Sequence, residues 1–251
     1  MTDKLLASRI DDMLHRADRG EAAYSSFLNE TEKAEALAYL KGRASELSVR
    51  FYGGYEGAER TRLFIYPDYY DFEDIKDCIR AVELKGSGYE SLRHSSFLGA
   101  LTSLGIDRAR MGDIVTDGIT AILFADEKII EFLLSDPPPL TRVGRDTVRI
   151  SEYDIPADFE NRREYKDIFD TVASPRLDCV VSSLASLSRE RAKALVSSGQ
   201  VMVNHIPEEK TDTTVSEGDT VTIRSYGKFR IESLSDRTKK DRYKLIAKKY
   251  I

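Results

Sequence analysis

The sequence predicts an α+β protein with three domains. Segments with the apolar spacing of helices alternate along the chain with short runs that are typical of strands. The length of 251 residues suits one to three domains, and no apolar run approaches the ~18 residues of a membrane-spanning helix. The N-terminal segment lacks the uninterrupted apolar stretch of a secretory signal, so we expect a soluble, cytoplasmic chain without membrane contacts.

Residues 1–71 predict a small N-terminal α/β domain. Apolar side chains between Leu5 and Leu14 follow helical spacing, and a second helix is expected at 32–44 with Thr31 as its N-cap. Two strands then flank a glycine-rich segment at 53–57. That segment lacks the Gly-Lys-Ser/Thr ending of a phosphate-binding loop, so we interpret it as a turn.

Residues 72–155 predict a middle domain in which helices and strands alternate. Strands are expected at 79–86, 113–116, 119–126 and 146–153, and helices at 91–106 and 127–134. Asp117-Gly118 is a strong hairpin signal. The order β-α-β-β-α-β is that of a ferredoxin-like (RRM-like) unit, a fold that often binds RNA. Arg108 and Arg110 could contact phosphate or lie in a solvated loop.

Residues 156–173 are interpreted as a linker that ends in a strand, and residues 174–251 as a C-terminal domain. Ser174 and Pro175 predict the start of a helix, as N-cap and first helical residue. Ser188 predicts the cap of a second helix, which ends at Gly199. Strands are expected after it, with Asn204 and the following residue as a turn.

The charge of the chain is unevenly distributed. From residue 174 onward there are 15 Lys and Arg against 10 Asp and Glu, a net charge of +5, whereas the remainder carries −10. A basic C-terminal domain on an acidic body suggests contact with a polyanion. The alternative is a chance excess of cations on a solvated face.

The start of the second C-terminal helix carries cations where the helix dipole disfavours them. Arg189 and Lys193 are four residues apart and share one helical face. Together with the free N–H groups of a helix N-terminus they could bind phosphate. The alternative is that they pair with Glu190 or other surface acids.

The stretch RLDCVVSSLASLSRERAKALVSSGQVMVNH, followed by GDTVTIRSYGKFRI, resembles the RNA-binding domain named after ribosomal protein S4. One departure is His205, where that family usually has Gly. Upstream, GGYEGAER and HSSFLGALTSLGIDRARMGDIV make nearly the whole chain similar to the YlmH-type S4-domain proteins of bacteria. The resemblance implies a ribosome-associated RNA-binding factor without enzyme activity. It also implies a role in quality control of stalled 50S subunits, where nascent chains on peptidyl-tRNA are extended with alanine.

The expected partners are therefore rRNA and tRNA on the large ribosomal subunit, with other quality-control proteins as further candidates. Matching positions within the S4 domain imply an RNA face, to which the sequence's own charge adds three basic residues. For Arg176 an ion pair with Asp178 is the alternative, for Ser188 a purely capping role, and for Asn204 a turn role. The predicted RNA-binding residues are Arg176, Ser188, Arg189, Lys193, Gln200, Val203 and Asn204 by resemblance, and Arg224, Lys228 and Arg230 by charge.

An RNA-modifying enzyme is the main alternative function. Pseudouridine synthases carry a catalytic Asp in an RLD tripeptide, and Arg176-Leu177-Asp178 is one. It lies, however, inside the first helix of the S4 domain, so we interpret Asp178 as a helix-surface acid. Two cysteines and three scattered histidines lack metal-ligand spacing. We therefore expect no metal, no cofactor and no small-molecule substrate.

Overall fold

The structure is a computed structural model that describes residues 4–44, 46–161, 165–234, 238 and 241–250. The chain divides into two compact units, Met1–Asn161 and Arg162–Ile251. The first unit contains the N-terminal and middle segments, and the second contains the basic C-terminal segment. Each unit has its own sheets and its own apolar core.

The N-terminal segment has the two helices and the hairpin that the sequence predicts. Its elements are α1 (Lys4–Asp18), β1 (Ala23–Tyr24), α2 (Glu30–Leu40), β2 (Leu47–Tyr52) and β3 (Arg62–Pro67). The strands form an antiparallel sheet in the order β1-β3-β2. Ile10 and Met13 of α1 pack with Ala36 of α2 on Leu63 and Ile65 of β3.

The cap of α2 differs from the sequence prediction. Asn29, not Thr31, is the N-cap: its side chain accepts a hydrogen bond from the Glu32 N–H at 3.0 Å. The Glu32 carboxylate in turn accepts one from the Asn29 N–H at 2.7 Å. This reciprocal pair satisfies two helix-end donors at once. Thr31 lies inside the first turn of α2, because the reciprocal hydrogen bonds between Asn29 and Glu32 could not form if Thr31 were the N-cap.

The middle segment has the predicted order of strands and helices, with additional short elements. They are α3 (Phe72–Ile75), β4 (Ile79–Gly86), α4 (His94–Ser103), β5 (Met111–Thr116), β6 (Thr120–Asp126), α5 (Glu127–Leu133), β7 (Arg142–Val143) and β8 (Asp146–Glu152). All neighbouring strands are antiparallel, and their order is β5-β6-β4-β8-β7. Phe97, Leu101 and Ile130 of the helices pack against Val82 and Leu123 of the sheet.

The second face of this middle sheet is covered by aromatic residues from the N-terminal segment and from α3. Phe124 and Ile122 of β6 pack in one buried cluster with Phe27, Phe64 and Phe72. The rings of Phe64 and Phe72 meet edge to face at 5.3 Å. As a result, residues 121–125 of β6 are buried on both sides of the sheet. RRM-type domains bind bases on an open sheet face, whereas both faces of β6 are occupied by protein here.

The C-terminal unit is a six-stranded antiparallel sheet with two helices. Its elements are β9 (Tyr165–Val172), α6 (Leu177–Leu184), α7 (Arg189–Ser197), β10 (Val201–Val203), β11 (Ile206–Pro207), β12 (Thr220–Ile223), β13 (Gly227–Ser233) and β14 (Tyr243–Tyr250). The strand order is β11-β10-β12-β13-β14-β9. Val180 and Val196 of the helices pack with Val221, Phe229 and Leu245 of the sheet.

The strand predicted at the end of the linker belongs to this sheet. β9 pairs with β14 along its whole length, from Tyr165 opposite Tyr250 to Val172 opposite Tyr243. Val172 lies in the core of the C-terminal unit. Residues 162–164 of the predicted linker lie outside the described residues.

The first C-terminal helix begins later than its sequence suggests. Its N-cap is Arg176 and no side chain caps it, so the prediction of Ser174 as N-cap was wrong. The carbonyl of Pro175 accepts a hydrogen bond from the Val215 N–H, and Arg176 forms a strand-like bridge with Thr214. This pairing keeps the chain extended through Arg176. In α7, by contrast, Ser188 is the N-cap, as predicted.

Candidate nucleic-acid interface

Asp178 is fully buried at the start of α6, with no exposed surface. The interpretation of this residue as a helix-surface acid was therefore wrong. Its Oδ1 accepts hydrogen bonds from Arg176 Nε at 3.1 Å and from the Cys179 N–H at 3.0 Å. Its Oδ2 accepts one from Arg189 Nε at 3.3 Å. One carboxylate thus joins the first residues of both C-terminal helices.

The Asp178 carboxylate is held in its charged form. Burial raises its pKa, but the hydrogen bond from Arg176 and the charges of Arg189 and Arg176 outweigh burial and lower the pKa below its ordinary value. The hydrogen bond to Asp178 also raises the pKa of Arg176. Two cations surround one anion, so the group carries a net charge of +1 at neutral pH. An anion that approached it would meet an uncompensated positive charge.

Both guanidinium groups keep N–H donors toward solvent. The Arg189 side chain is 52% exposed and uses only Nε for Asp178, while the structure describes no partner for its two Nη groups. Arg176 is 39% exposed and bonds Asp178 through Nε and, weakly, through Nη2. A guanidinium carries five N–H donors in a rigid fork that matches phosphate oxygens. The buried carboxylate therefore orients two phosphate-binding groups.

Lys193 extends this charge by one helical turn. Ala192 and Val196 face the core, so α7 turns Arg189 and Lys193 to its exposed side. No described residue forms an ion pair or hydrogen bond with the Lys193 side chain. Ser188, at the same helix start, uses its Oγ to accept the Arg191 N–H at 3.3 Å. We call Arg176, Ser188, Arg189 and Lys193 the helix-start cluster.

Three further predicted residues have structural contacts. Asn204 takes a φ of +49° and its amide bonds Asp219 and the Thr220 N–H at 2.8 and 2.9 Å. These bonds fix the end of β10 to the start of β12. Gln200 donates to Ser198 Oγ at 2.8 Å, and Val203 packs partly on the core. A role in RNA contact stays a prediction for all three.

The basic residues added from charge lie elsewhere. In β13, Phe229 and Ile231 face the core under the helices, so the alternate residues Lys228 and Arg230 point to the opposite face of the sheet. Arg224 lies in the turn between β12 and β13, where its N–H donates to the Gln200 carbonyl at 3.0 Å. The ten predicted residues therefore do not share one surface.

Arg108 and Arg110 of the middle segment form contacts within the protein. Arg110 Nη2 donates to Asp126 Oδ1 at 2.7 Å, and the nearly buried Arg62 donates to Asp126 Oδ2 at 2.6 Å. Arg108 donates to the Gly112 carbonyl at 3.2 Å. Burial and the nearby charge of Arg60 lower the pKa of Arg108 to about 10. Arg62 thereby links the N-terminal segment to Asp126 of the middle segment, and the signal that sequence reasoning missed is Asp126.

Other kinds of site find little support in the described part of the chain. There, no group of three or more His, Cys, Asp or Glu side chains is placed to hold a metal ion. Cys78 and Cys179 are free thiols, half-buried and buried. None of the described helices is long and apolar enough to cross a membrane.

The C-terminal unit has two helices that present oriented cations. The strand β10, a turn with positive φ at Asn204 and the strand β12 after Gly218-Asp219 follow them. This arrangement defines an RNA-binding domain of the S4 class. The family model "S4 domain" matches residues 175–221. The model "YlmH, N-terminal" matches residues 3–70, and "Putative RNA-binding domain in YlmH" matches residues 76–157. The chain belongs to the YlmH family.

The proteins to which this chain is similar include a curated relative and a solved structure. The "Ribosome-associated protein quality control protein P2" of Bacillus subtilis (strain 168) is 32% identical over 228 residues, which cover 88% of this chain and 84% of that protein. A solved structure, "Cell division protein ylmH from Streptococcus pneumoniae", is 20% identical with a TM-score of 0.48 and covers 62% of this chain and 94% of that one.

Proposed function

We propose that this protein is a non-catalytic RNA-binding factor that binds rRNA and tRNA on the 50S ribosomal subunit. The proposed role is quality control of stalled nascent chains, including their extension with alanine, in the cytoplasm. The similarity to a protein whose name states ribosome-associated quality control supports the cellular context. The S4 domain supports RNA as the ligand.

The observation that carries RNA binding is the pair of guanidinium groups on one buried carboxylate. A buried acid between two arginines is costly unless both partners are well placed, so its geometry is narrowly defined. Asp178 thereby presents Arg176 and Arg189 beside the start of α7, with Lys193 one turn further. Phosphate contacts of this kind position an RNA backbone without reading its sequence.

The same geometry argues against the pseudouridine synthase alternative. A catalytic Asp must reach an RNA base, which has to be unstacked and inserted into a pocket. Asp178 has no exposed surface and both of its oxygens accept hydrogen bonds. We therefore assign it a positioning role for the two arginines.

We further propose that the middle segment is a ferredoxin-like domain that contributes to ribosome binding through its helices or loops. The strand order β5-β6-β4-β8 and the helices α4 and α5 support the fold. The aromatic cover over the second sheet face argues against base stacking on that face. The acidic charge of residues 1–161, 20 basic against 30 acidic, favours protein partners for that unit.

The test is crosslinking of bound RNA in a bacterial extract, read by sequencing. We expect crosslinks to large-subunit rRNA and to tRNA, and their loss with Arg189→Ala, Lys193→Ala. Asp178→Asn separates the alternatives, because a synthase would lose uridine isomerisation in that variant. Crosslinks to messenger RNA alone, or loss of isomerisation, would overturn the proposal.

A further inference from the structure

The C-terminal sheet has a second face that neither of its helices covers. α6 and α7 pack on the side of Val221, Phe229, Leu245 and Ala247. Side chains alternate along each strand, so the even-numbered residues of β13 and β14 and the odd-numbered residues of β9 lie on the other side. Phe169 on β9 is 73% exposed there, although it is a large apolar ring.

Aromatic rings and amino groups are interleaved on this face. The rings of Tyr165 and Tyr250, on paired strands, meet edge to face with centroids 5.0 Å apart. The Lys228 ammonium lies 4.6 Å from the Tyr250 ring centroid, and that of Lys248 lies 5.8 Å from Tyr165. This row crosses β13, β14 and β9, roughly 10 Å at ~4.8 Å per strand. We call Tyr165, Phe169, Lys228, Arg230, Lys248 and Tyr250 the open sheet face.

The charges of this face favour an anionic ligand. Arg230 on β13 lies directly opposite Lys248 on β14, and like charges in that arrangement are destabilising. Asp167 on β9 lies on the other side of Lys248, and Glu232 lies 3.5 Å from Arg230. Among the described residues of these three strands, Lys228 and Lys244 also lie on this face. A polyanion would relieve the repulsion between Arg230 and Lys248.

We propose that the open sheet face is a second RNA-binding surface, specific for single-stranded RNA. Bases stack on exposed aromatic rings, and neighbouring lysine and arginine groups contact the phosphates between them. The rings of Phe169 and Tyr165 supply the stacking platform, and Lys228, Arg230 and Lys248 supply the cations. The helix-start cluster lacks exposed aromatic residues, so it favours backbone contacts to structured RNA. The helix-start cluster thus binds structured RNA, and the open sheet face binds single-stranded RNA.

The test is a titration of the full chain with a fluorescent ten-nucleotide oligouridine and, separately, with a blunt RNA duplex. The variant is Tyr165→Thr, Phe169→Thr, because threonine retains strand preference and removes both rings. We expect oligouridine affinity to fall about tenfold or more, since each base that stacks on a ring contributes to binding, and duplex affinity to stay within about twofold. Tyr89→Thr, which removes an equally exposed ring from the other unit, is the control and should bind like wild type.

The outcomes are separable from those of the proposed function. Lys193→Ala should weaken duplex binding and leave oligouridine binding unchanged. If the folded Tyr165→Thr, Phe169→Thr variant binds oligouridine like wild type, the proposal is overturned. It is also overturned if that variant changes only the oligomeric state in sedimentation, which would make this face a contact between copies of the chain. Crosslinking to rRNA and tRNA can fail or succeed independently of both results.

Discussion

At the scale of single residues, Asp178 holds two guanidinium groups that would otherwise repel one another. Its accepted hydrogen bonds come from Arg176, through Nε and Nη2, from Arg189 and from the Cys179 N–H. We expect Asp178→Asn to lower the free energy of unfolding by about 1–3 kcal/mol, because charged hydrogen bonds are replaced by an amide among cations. Urea denaturation of the full chain measures this, with the exposed Asp158→Asn in the other unit as a control. Wild-type stability would mean that the two arginines are held by other contacts.

The same carboxylate predicts a pH dependence. Its pKa in the folded chain is lowered by the arginines, whereas in the unfolded chain it lies near the ordinary value of about 3.9. Its stabilisation is therefore complete above that unfolded pKa and is lost as the pH falls through the lower folded pKa. We expect the stability difference between wild type and Asp178→Asn to be constant from pH 7 to about pH 5 and to shrink below pH 4. A constant difference down to pH 2.5 would contradict a charge-based role.

Lys193 tests phosphate contact without disturbing the buried acid. Each neutralised phosphate contributes ~0.9 to the slope of log K against log salt on a duplex. We expect Lys193→Ala to make that slope shallower by about this amount, with an unchanged melting temperature. Arg191→Ala is the control, because it removes one positive charge from the same helix. Arg191 lies two residues from Arg189 and does not share the face of Arg189 and Lys193. Equal slopes for both variants would mean a general charge effect.

At the scale of elements, α2 has two polar residues near its start that could serve as its N-cap, Asn29 and Thr31. Asn29 forms the reciprocal box with Glu32, and Thr31 does not cap the helix. We expect Asn29→Ala to lower the unfolding free energy by about 1 kcal/mol, and Thr31→Ala to change it by less than about 0.5 kcal/mol. Differential scanning calorimetry on both variants measures the contrast. A larger effect of Thr31→Ala would restore the prediction made from the sequence.

Apolar spacing was sufficient to locate most helices and strands, because an element that faces a core must repeat its apolar side chains with its own period. It was insufficient for helix ends, where local polar groups compete with distant strands. Arg176 stays extended because Thr214, which is distant in the sequence, pairs with it. The contact between Asp178 and Arg189 escaped prediction for a related reason. A turn separates their two helices, so no helical periodicity brings them together.

The resemblance of the S4 motif supplied the helix-start cluster, whereas charge alone could not show that Lys228 and Arg230 lie on the opposite face of the sheet. Net charge records how many cations a segment has and not the direction in which they point. The alternation of side chains along a strand determines that direction. Phe229 faces the core, and therefore its neighbours Lys228 and Arg230 face away. The pairing of β9 with β14, the first and last strands of this unit, then brings Tyr165 and Phe169 beside these cations.

At the scale of the whole molecule, charge follows the division into two units. Residues 162–251 carry 18 basic against 13 acidic residues, while residues 1–161 carry the acidic excess. The C-terminal unit has a continuous core of its own, to which Val172 of β9 contributes. We therefore expect residues 162–251 to fold alone and to bind structured RNA, and residues 1–161 to bind it much more weakly. Circular dichroism and a binding titration at low salt check both fragments.

The start of the fragment is a sharper test of the same architecture. A fragment of residues 174–251 retains the S4 match but lacks β9, the edge strand that pairs with β14 along its whole length. Its removal would expose Leu245 and Ala247 beside an unpaired strand edge, which favours association between chains. We expect this shorter fragment to melt at a lower temperature than residues 162–251 and to aggregate, with weaker RNA binding. Equal melting temperatures and a monomeric state in sedimentation would show that β9 is dispensable and that the C-terminal domain begins at its first helix.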